Sequence, residues 1–165
     1  MPALEAGVQA PDIKLSFLNG TRFSLTDAVK RGPVMAVFFK VSCPVCQMAL
    51  PYFERVYQAY GKSGNLTFVG VSQDNGADTE EFNKRFGVTF PVLMEEKGYT
   101  VSNAYGLTHV PTVFIISPGR EVEFSSVSWS KSEVEQLSRK LAKINGIAPT
   151  TIFRSGEQVP DFKPG

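Results

Sequence analysis

Residues Pro33-Val34-Met35-Ala36-Val37-Phe38-Phe39-Lys40-Val41-Ser42-Cys43-Pro44-Val45-Cys46 join an apolar run without alternation to two closely spaced cysteines. A run of that kind suits a central strand buried on both faces, in a sheet covered by helices. Beyond it, Met48, Tyr52, Val56 and Tyr60 recur at helical spacing as far as Gly61, so the cysteines fall at a helix start, with Pro51 expected to kink the helix. A strand that delivers Cys43 to the first turn of a helix aims its sulfur at backbone N–H groups that lack intrahelical partners. A thiolate is favoured there, and the thiolate is the nucleophile: at pH 7 a thiol of pKa near 8.5 is about 3% ionised, against about half for one shifted to 7.

Cys43 is therefore expected to attack. Cys46 lies nearly one turn further on the same face and is expected to resolve a mixed disulfide formed at Cys43. Pro44, at the first helical position, loses no useful hydrogen bond and stiffens the loop. Pro44 and Val45 are expected to line the substrate contact.

Around this centre, Ile13-Lys14-Leu15-Ser16-Phe17, a turn at Asn19-Gly20 and Thr21-Arg22-Phe23-Ser24-Leu25 spell an N-terminal hairpin. Thr26 to Lys30 reads as a short helix, Leu66 to Ser72 as a second central strand, and Thr79 to Phe86 as a helix stopped by Gly87. Pro91 to Met94 is a short strand and Val101 to Tyr105 a short helix. Thr112-Val113-Phe114-Ile115-Ile116 is a β-branched strand, which Pro118-Gly119 turns into Glu121-Val122-Glu123-Phe124. Ser130-Lys131-Ser132-Glu133 fits a capping box, followed by Val134, Leu137, Leu141 and Ile144 at core spacing, and Gly146 ends that helix. Residues 1–146 are thus expected to be one α/β domain, a central mixed sheet flanked by helices. Residues 147–165 are expected to be an irregular tail, with Ile152, Phe153 and Phe162 available to dock it.

Other uses of the cysteines fit less well. Zinc needs about four ligands, and beyond the thiols the chain offers one histidine, His109, and carboxylates. A structural disulfide across two residues closes too small a loop to gain much. Ordinary buried thiols are the third possibility. A C-x-x-C following a strand in an α/β pattern points instead to redox work. Val110-Pro111 stands immediately before a β-branched strand, where a central position does not admit proline without cause. A cis Pro111 there would expose the Val110 backbone to a substrate strand beside the sulfurs.

Composition limits what else the chain does. Of 165 residues, 42% are hydrophobic and 20% charged, and 17 basic against 16 acidic side chains leave no basic block for nucleic acid. The longest apolar run is far short of the roughly 20 residues that span a bilayer. The stretch Met1-Pro2-Ala3-Leu4-Glu5-Ala6-Gly7 has neither the basic nor the apolar part of a signal peptide. A cytoplasmic location is expected if Met1 is the native start, and a periplasmic one if a signal has been removed.

The chain resembles the thioredoxin-like redoxins, in particular the AhpC/TSA branch that includes the TlpA/ResA-type thiol–disulfide oxidoreductases. The likeness covers residues 6–144. It rests on Ala10-Pro11-Asp12 before the hairpin, Cys43-Pro44-Val45-Cys46 with Pro51 downstream, Val69-Gly70-Val71-Ser72, Tyr105-Gly106-Leu107, and Val110-Pro111-Thr112 with Pro118-Gly119. The resemblance implies a thioredoxin-like fold, a cis Pro111 facing the cysteines, and a helix–strand insertion at about residues 74–94. It implies disulfide exchange with protein thiols and an electron donor or acceptor protein. No cofactor beyond the Cys43–Cys46 pair is expected, and the chain is expected to be a monomer or weak dimer.

Ser42 stands where these proteins usually carry Trp, which removes a flat contact surface. The ResA type carries an acidic residue after the next strand, and Asp74, which falls there, is the candidate proton acceptor for Cys46. Peroxiredoxins of the superfamily place Thr or Ser three residues before the reactive cysteine. For Cys43 that position is Lys40, and for Cys46 it is Cys43, so an AhpC/TSA-type peroxidase is the runner-up and a non-catalytic thioredoxin-fold binding module the third reading. His109, Trp129 and Lys40 are read as structural or solvent-facing.

Overall fold

In this computed structural model, which describes residues 2–95 and 97–165, the chain opens with β1 (Lys14–Phe17), β2 (Arg22–Ser24) and a short α1 (Leu25–Ala28). Met1, on which the reading of the N-terminus turns, lies outside the described residues. There follow β3 (Val34–Phe39), α2 (Pro44–Val56), β4 (Thr67–Ser72), α3 (Gly76–Phe86), β5 (Val92–Met94) and α4 (Thr100–Ala104). The chain ends through β6 (Thr112–Ile116), β7 (Val122–Val127), β8 (Trp129–Ser130), α5 (Lys131–Asn145) and β9 (Phe162–Lys163).

Among the described residues, seven strands form one sheet in the order β2-β1-β5-β4-β3-β6-β7, and β8 pairs with β9 separately. β3, β4 and β5 run parallel, while β6, β7, β1 and β2 join antiparallel. The expected mixed sheet and thioredoxin-like architecture are present. The hairpin is more than a local unit, because Ser16 and Phe17 of β1 pair with Met94 and Leu93 of β5. The 74–94 insertion therefore ties the hairpin into the main sheet.

All six residues of β3 are buried, and their alternation feeds both faces. Met35, Val37 and Phe39 pack with Ala49, Leu50 and Phe53 of α2, Phe82 of α3 and Val134, Leu137 and Leu141 of α5. Val34, Ala36 and Phe38 pack with Leu25 of α1, Val101 of α4 and Tyr105. Each fully buried Val, Leu, Phe or Met side chain among these contributes about 1.5–3 kcal/mol, so the apolar run fixes the middle of the molecule.

Several boundaries differ from the sequence reading for local reasons. Helix α3 begins at Gly76 rather than Thr79, because the Asn75 side chain accepts the Asp78 N–H at 2.8 Å and caps it earlier. β7 runs on to Val127, held by pairing along β6 that ends at Thr112–Val127. Pro51 sits inside α2, and a π-helical turn follows at Tyr57–Gly61. At Ser130 the N-cap half of the expected box is present: its hydroxyl accepts the Glu133 N–H at 3.3 Å.

The tail is irregular apart from β9, and it runs back along α2. Ile152 is buried, and Phe153 packs against Tyr52 and Trp129. Phe162, 59% exposed as a residue, does not dock; its backbone pairs in β9 instead.

Candidate active site

Register brings the site together. Phe39 at the end of β3 lies opposite Ser72 at the end of β4, and Phe38 opposite Thr112 at the start of β6. The segments after β3 and β4 and before β6 therefore meet at one end of the sheet, where parallel strands present their carboxyl ends. Cys43, Asp74 and Pro111 are neighbours for this reason.

The segment from β3 to α2 is braced on both sides. Asp74 Oδ2 accepts the Val41 N–H at 2.9 Å, Gln47 Nε2 donates to the Val41 carbonyl at 2.9 Å, and the Cys43 N–H donates to the Lys40 carbonyl at 3.2 Å. Gln47 was not singled out in the sequence. Its position one residue past Cys46, on the first turn, is the only local signal.

Cys43 is the N-cap of α2, in extended backbone conformation, with Pro44 at the first helical position. Its Sγ accepts the Cys46 N–H at 3.3 Å and lies 3.5 Å from the Val110 carbonyl oxygen, to which the thiol donates. Cys43 is half-buried, Pro44 exposed and Val45 half-buried, so this end of the helix faces outward. Cys46 is 0% exposed, within the α2 face of the core. Both thiols are free. Burial pushes the Cys46 thiol far above the ordinary range. A backbone hydrogen bond with Lys40 opposes this, and the Cys43 hydrogen bond together with the nearby charges of Cys43 and Asp74 adds to it.

The Val110–Pro111 bond is cis, as expected from the sequence. Pro111 is buried and Val110 half-buried beside Cys43. The Pro111 carbonyl accepts the Ser128 N–H at 2.8 Å, and Thr112 Oγ1 donates to the His109 carbonyl at 2.7 Å. His109 has an exposed ring that meets Thr108 rather than either sulfur, and Lys40 is exposed. Trp129 is fully buried, as a packing role requires, and its Nε1 donates to the Pro160 carbonyl at 2.7 Å. Among the described residues no three His, Cys, Asp or Glu side chains gather as a metal site, and no helix is long and apolar enough to cross a membrane.

Comparison with known proteins agrees with this geometry. A match to the AhpC/TSA family spans residues 6–125. The thiol-disulfide oxidoreductase ResA of Geobacillus thermodenitrificans (strain NG80-2) is 33% identical over 136 residues, covering 81% of this chain and 76% of that protein. A proposed thiol:disulfide interchange protein DsbE from Chlorobium tepidum superimposes with a TM-score of 0.75 at 25% identity, covering 87% of this chain and 100% of that one. Peroxidoxin BcpB from Mycobacterium tuberculosis gives 0.66 at 22% identity, over 88% of this chain and 99% of that one, a likeness of fold alone. Fold, cysteine pair and relatives define a thiol–disulfide oxidoreductase of thioredoxin-like architecture. The chain belongs to the AhpC/TSA family.

Proposed function

We propose that the Cys43 thiolate attacks a disulfide of a protein substrate, and that Cys46 then resolves the product. In the first step Cys43 Sγ bonds to one substrate sulfur and the other leaves as a thiolate. In the second, Cys46 gives its proton to Asp74, bonds to Cys43 Sγ and releases the remaining substrate sulfur. The substrate gains two electrons and the protein is left with a Cys43–Cys46 disulfide, which a further redox protein reduces. Run backwards, the same steps oxidise a protein dithiol. The disulfide itself is the redox group, and Pro44, Val45 and the Val110-Pro111 backbone hold the substrate.

The observation that carries this reading is the asymmetry of the sulfurs. Cys43 is reachable and accepts a backbone N–H, whereas Cys46 is fully buried and its ionisation is opposed. Asp74 has one oxygen on Val41 N–H and its charge is felt at Cys46, which supports its role as proton acceptor. Exchange is favoured over peroxide reduction because, among the described residues, no hydroxyl is hydrogen-bonded to Cys43 Sγ; its partners are the Cys46 N–H and the Val110 carbonyl. The test is Cys46→Ser. It should accumulate a long-lived mixed disulfide between Cys43 and a disulfide-containing polypeptide. If it traps nothing while the unaltered chain consumes hydroperoxide rapidly with a dithiol donor, the peroxidase reading replaces this one.

A further inference from the structure

The tail has two parts that are held differently. Its middle is anchored by side chains: Ile152 is buried, Phe153 meets Tyr52 and Trp129 edge to face, and Arg55 makes a two-pronged pair with Glu157 at 2.7 and 2.8 Å. Trp129 Nε1 ties down the Pro160 carbonyl. Beyond that point every residue from 161 to 165 is exposed, and the contacts are made by backbone. Phe162 and Lys163 pair with Ser130 and Trp129, the Lys131 N–H donates to the Asp161 carbonyl, and the Gly165 N–H donates to Ser128 Oγ at 3.1 Å.

This tip ends on the site. Gly165 lies so close to Val110 that a Cβ on it would collide with the Val110 carbonyl oxygen, standing 2.7 Å from the carbonyl carbon and 3.1 Å from the nitrogen. The same Val110 oxygen is 3.5 Å from Cys43 Sγ. Ser128 bridges the two segments, holding the Pro111 carbonyl through its N–H and Gly165 through its hydroxyl. The last residue of the tail thus already lies against the Val110 backbone where a substrate strand would pair, held there from β8 by Phe162 and Lys163.

We infer that Gly165, positioned by the pairing of residues 162–163 with β8, is the resident occupant of the Val110 edge, and that it selects as substrates extended polypeptide segments able to displace it. The inference rests on the exchange reading above and deepens it. A segment held by backbone contacts, with its side chains already in water, surrenders little apolar area when it lifts. An incoming strand gains main-chain hydrogen bonds at the Val110 edge when Gly165 moves aside. A small disulfide needs only the sulfur of Cys43, which is half-exposed with the tip in place, so it bypasses the competition. The apparent affinity for a polypeptide falls by the fraction of molecules in which the tip is seated, and loosening the tip restores it.

The test uses the full chain with Gly165→Val, whose side chain collides with Val110, and separately Ser128→Ala, which removes the bridging hydroxyl. Exchange is measured with an unfolded disulfide-containing polypeptide and with 5,5′-dithiobis(2-nitrobenzoate). Loss of one such hydrogen bond corresponds to about a fivefold gain in the polypeptide rate for Ser128→Ala, with a gain at least as large for Gly165→Val and the small-disulfide rate within about twofold of the unaltered chain. Polypeptide rates that stay the same in both variants, or fall, overturn the inference; a fall means the tip helps to hold the substrate. Absence of exchange that depends on Cys43 with either probe in the unaltered chain is a different result, because it removes the exchange reading itself and this inference with it.

Discussion

Helices α2 and α5 begin in the same way and do different work. Cys43 and Ser130 are both N-caps in extended conformation, and each accepts the N–H three residues on at 3.3 Å. At α5 the cap is oxygen, and the start is covered by β9 and by the bond from Lys131 N–H to Asp161. At α2 the cap is sulfur, half-exposed, with the Val110 carbonyl on one side and a second, buried sulfur one turn below. A helix start offers the same unsatisfied N–H groups wherever it occurs. Chemistry comes from which atom receives them and whether a partner can reach that atom.

Substituting within the two caps is the sharpest way to break the comparison. Cys43→Ser keeps a capping atom, so stability should change by less than about 0.5 kcal/mol, while disulfide exchange should fall by on the order of 10³-fold or more. Chemical denaturation and an exchange assay on the same sample check both halves. Retained exchange would show that the capping sulfur is not the nucleophile.

Asp74→Asn comes next in expected size. The amide oxygen of the variant still accepts the Val41 N–H, so the loop stays braced while the carboxylate is lost. Resolution by Cys46 should slow by about 100-fold, seen as a mixed disulfide that persists in rapid-quench samples, with the initial attack unchanged. Equal slowing of both steps would make Asp74 a positioning residue only.

Ser130→Ala should cost about 1 kcal/mol of unfolding free energy and leave exchange with a small disulfide unaltered. If exchange collapses, the two helix starts are coupled rather than independent.

The smallest effect concerns pH and the tail. The Arg55 guanidinium, with help from the Arg154 N–H, holds the Glu157 carboxyl down at about 2 from an ordinary 4.5. The folded state therefore favours the ionised form: the pair supports tail docking above about pH 4.5, and that support is lost as pH falls towards 2. The pair is partly exposed and screened by salt, so the change is modest. Trp129, the only tryptophan, packs on Phe153 and reports it. Its emission should be flat above pH 5 and shift below, and Glu157→Gln should remove that shift.

Legibility in the sequence divides along the same lines. The centre was readable because its determinants are local: an unbroken apolar run, a cysteine pair at a helix start, a proline before a β-branched strand, and a serine cap before α5. What was not readable depends on residues brought together only by the fold. Asp74 meets Val41 from 33 positions away and Arg55 meets Glu157 from 102. The tail's prolines and glycines correctly signal an absence of long elements, but not that Trp129 and Arg55 hold it along α2 or that it ends on Val110. Phe162 misled for a related reason, since a two-residue strand is fixed by its backbone and leaves its aromatic ring in water.

The central claim is that Cys43 is the reactive sulfur and Cys46 the protected one. Brief alkylation of the reduced protein with iodoacetamide at pH 7, followed by mapping of the labelled peptides by mass spectrometry, tests it most directly. The structure predicts label on Cys43 first, with Cys46 modified only after the protein is unfolded. Label appearing first on Cys46, or on both at equal rates, would contradict the assignment.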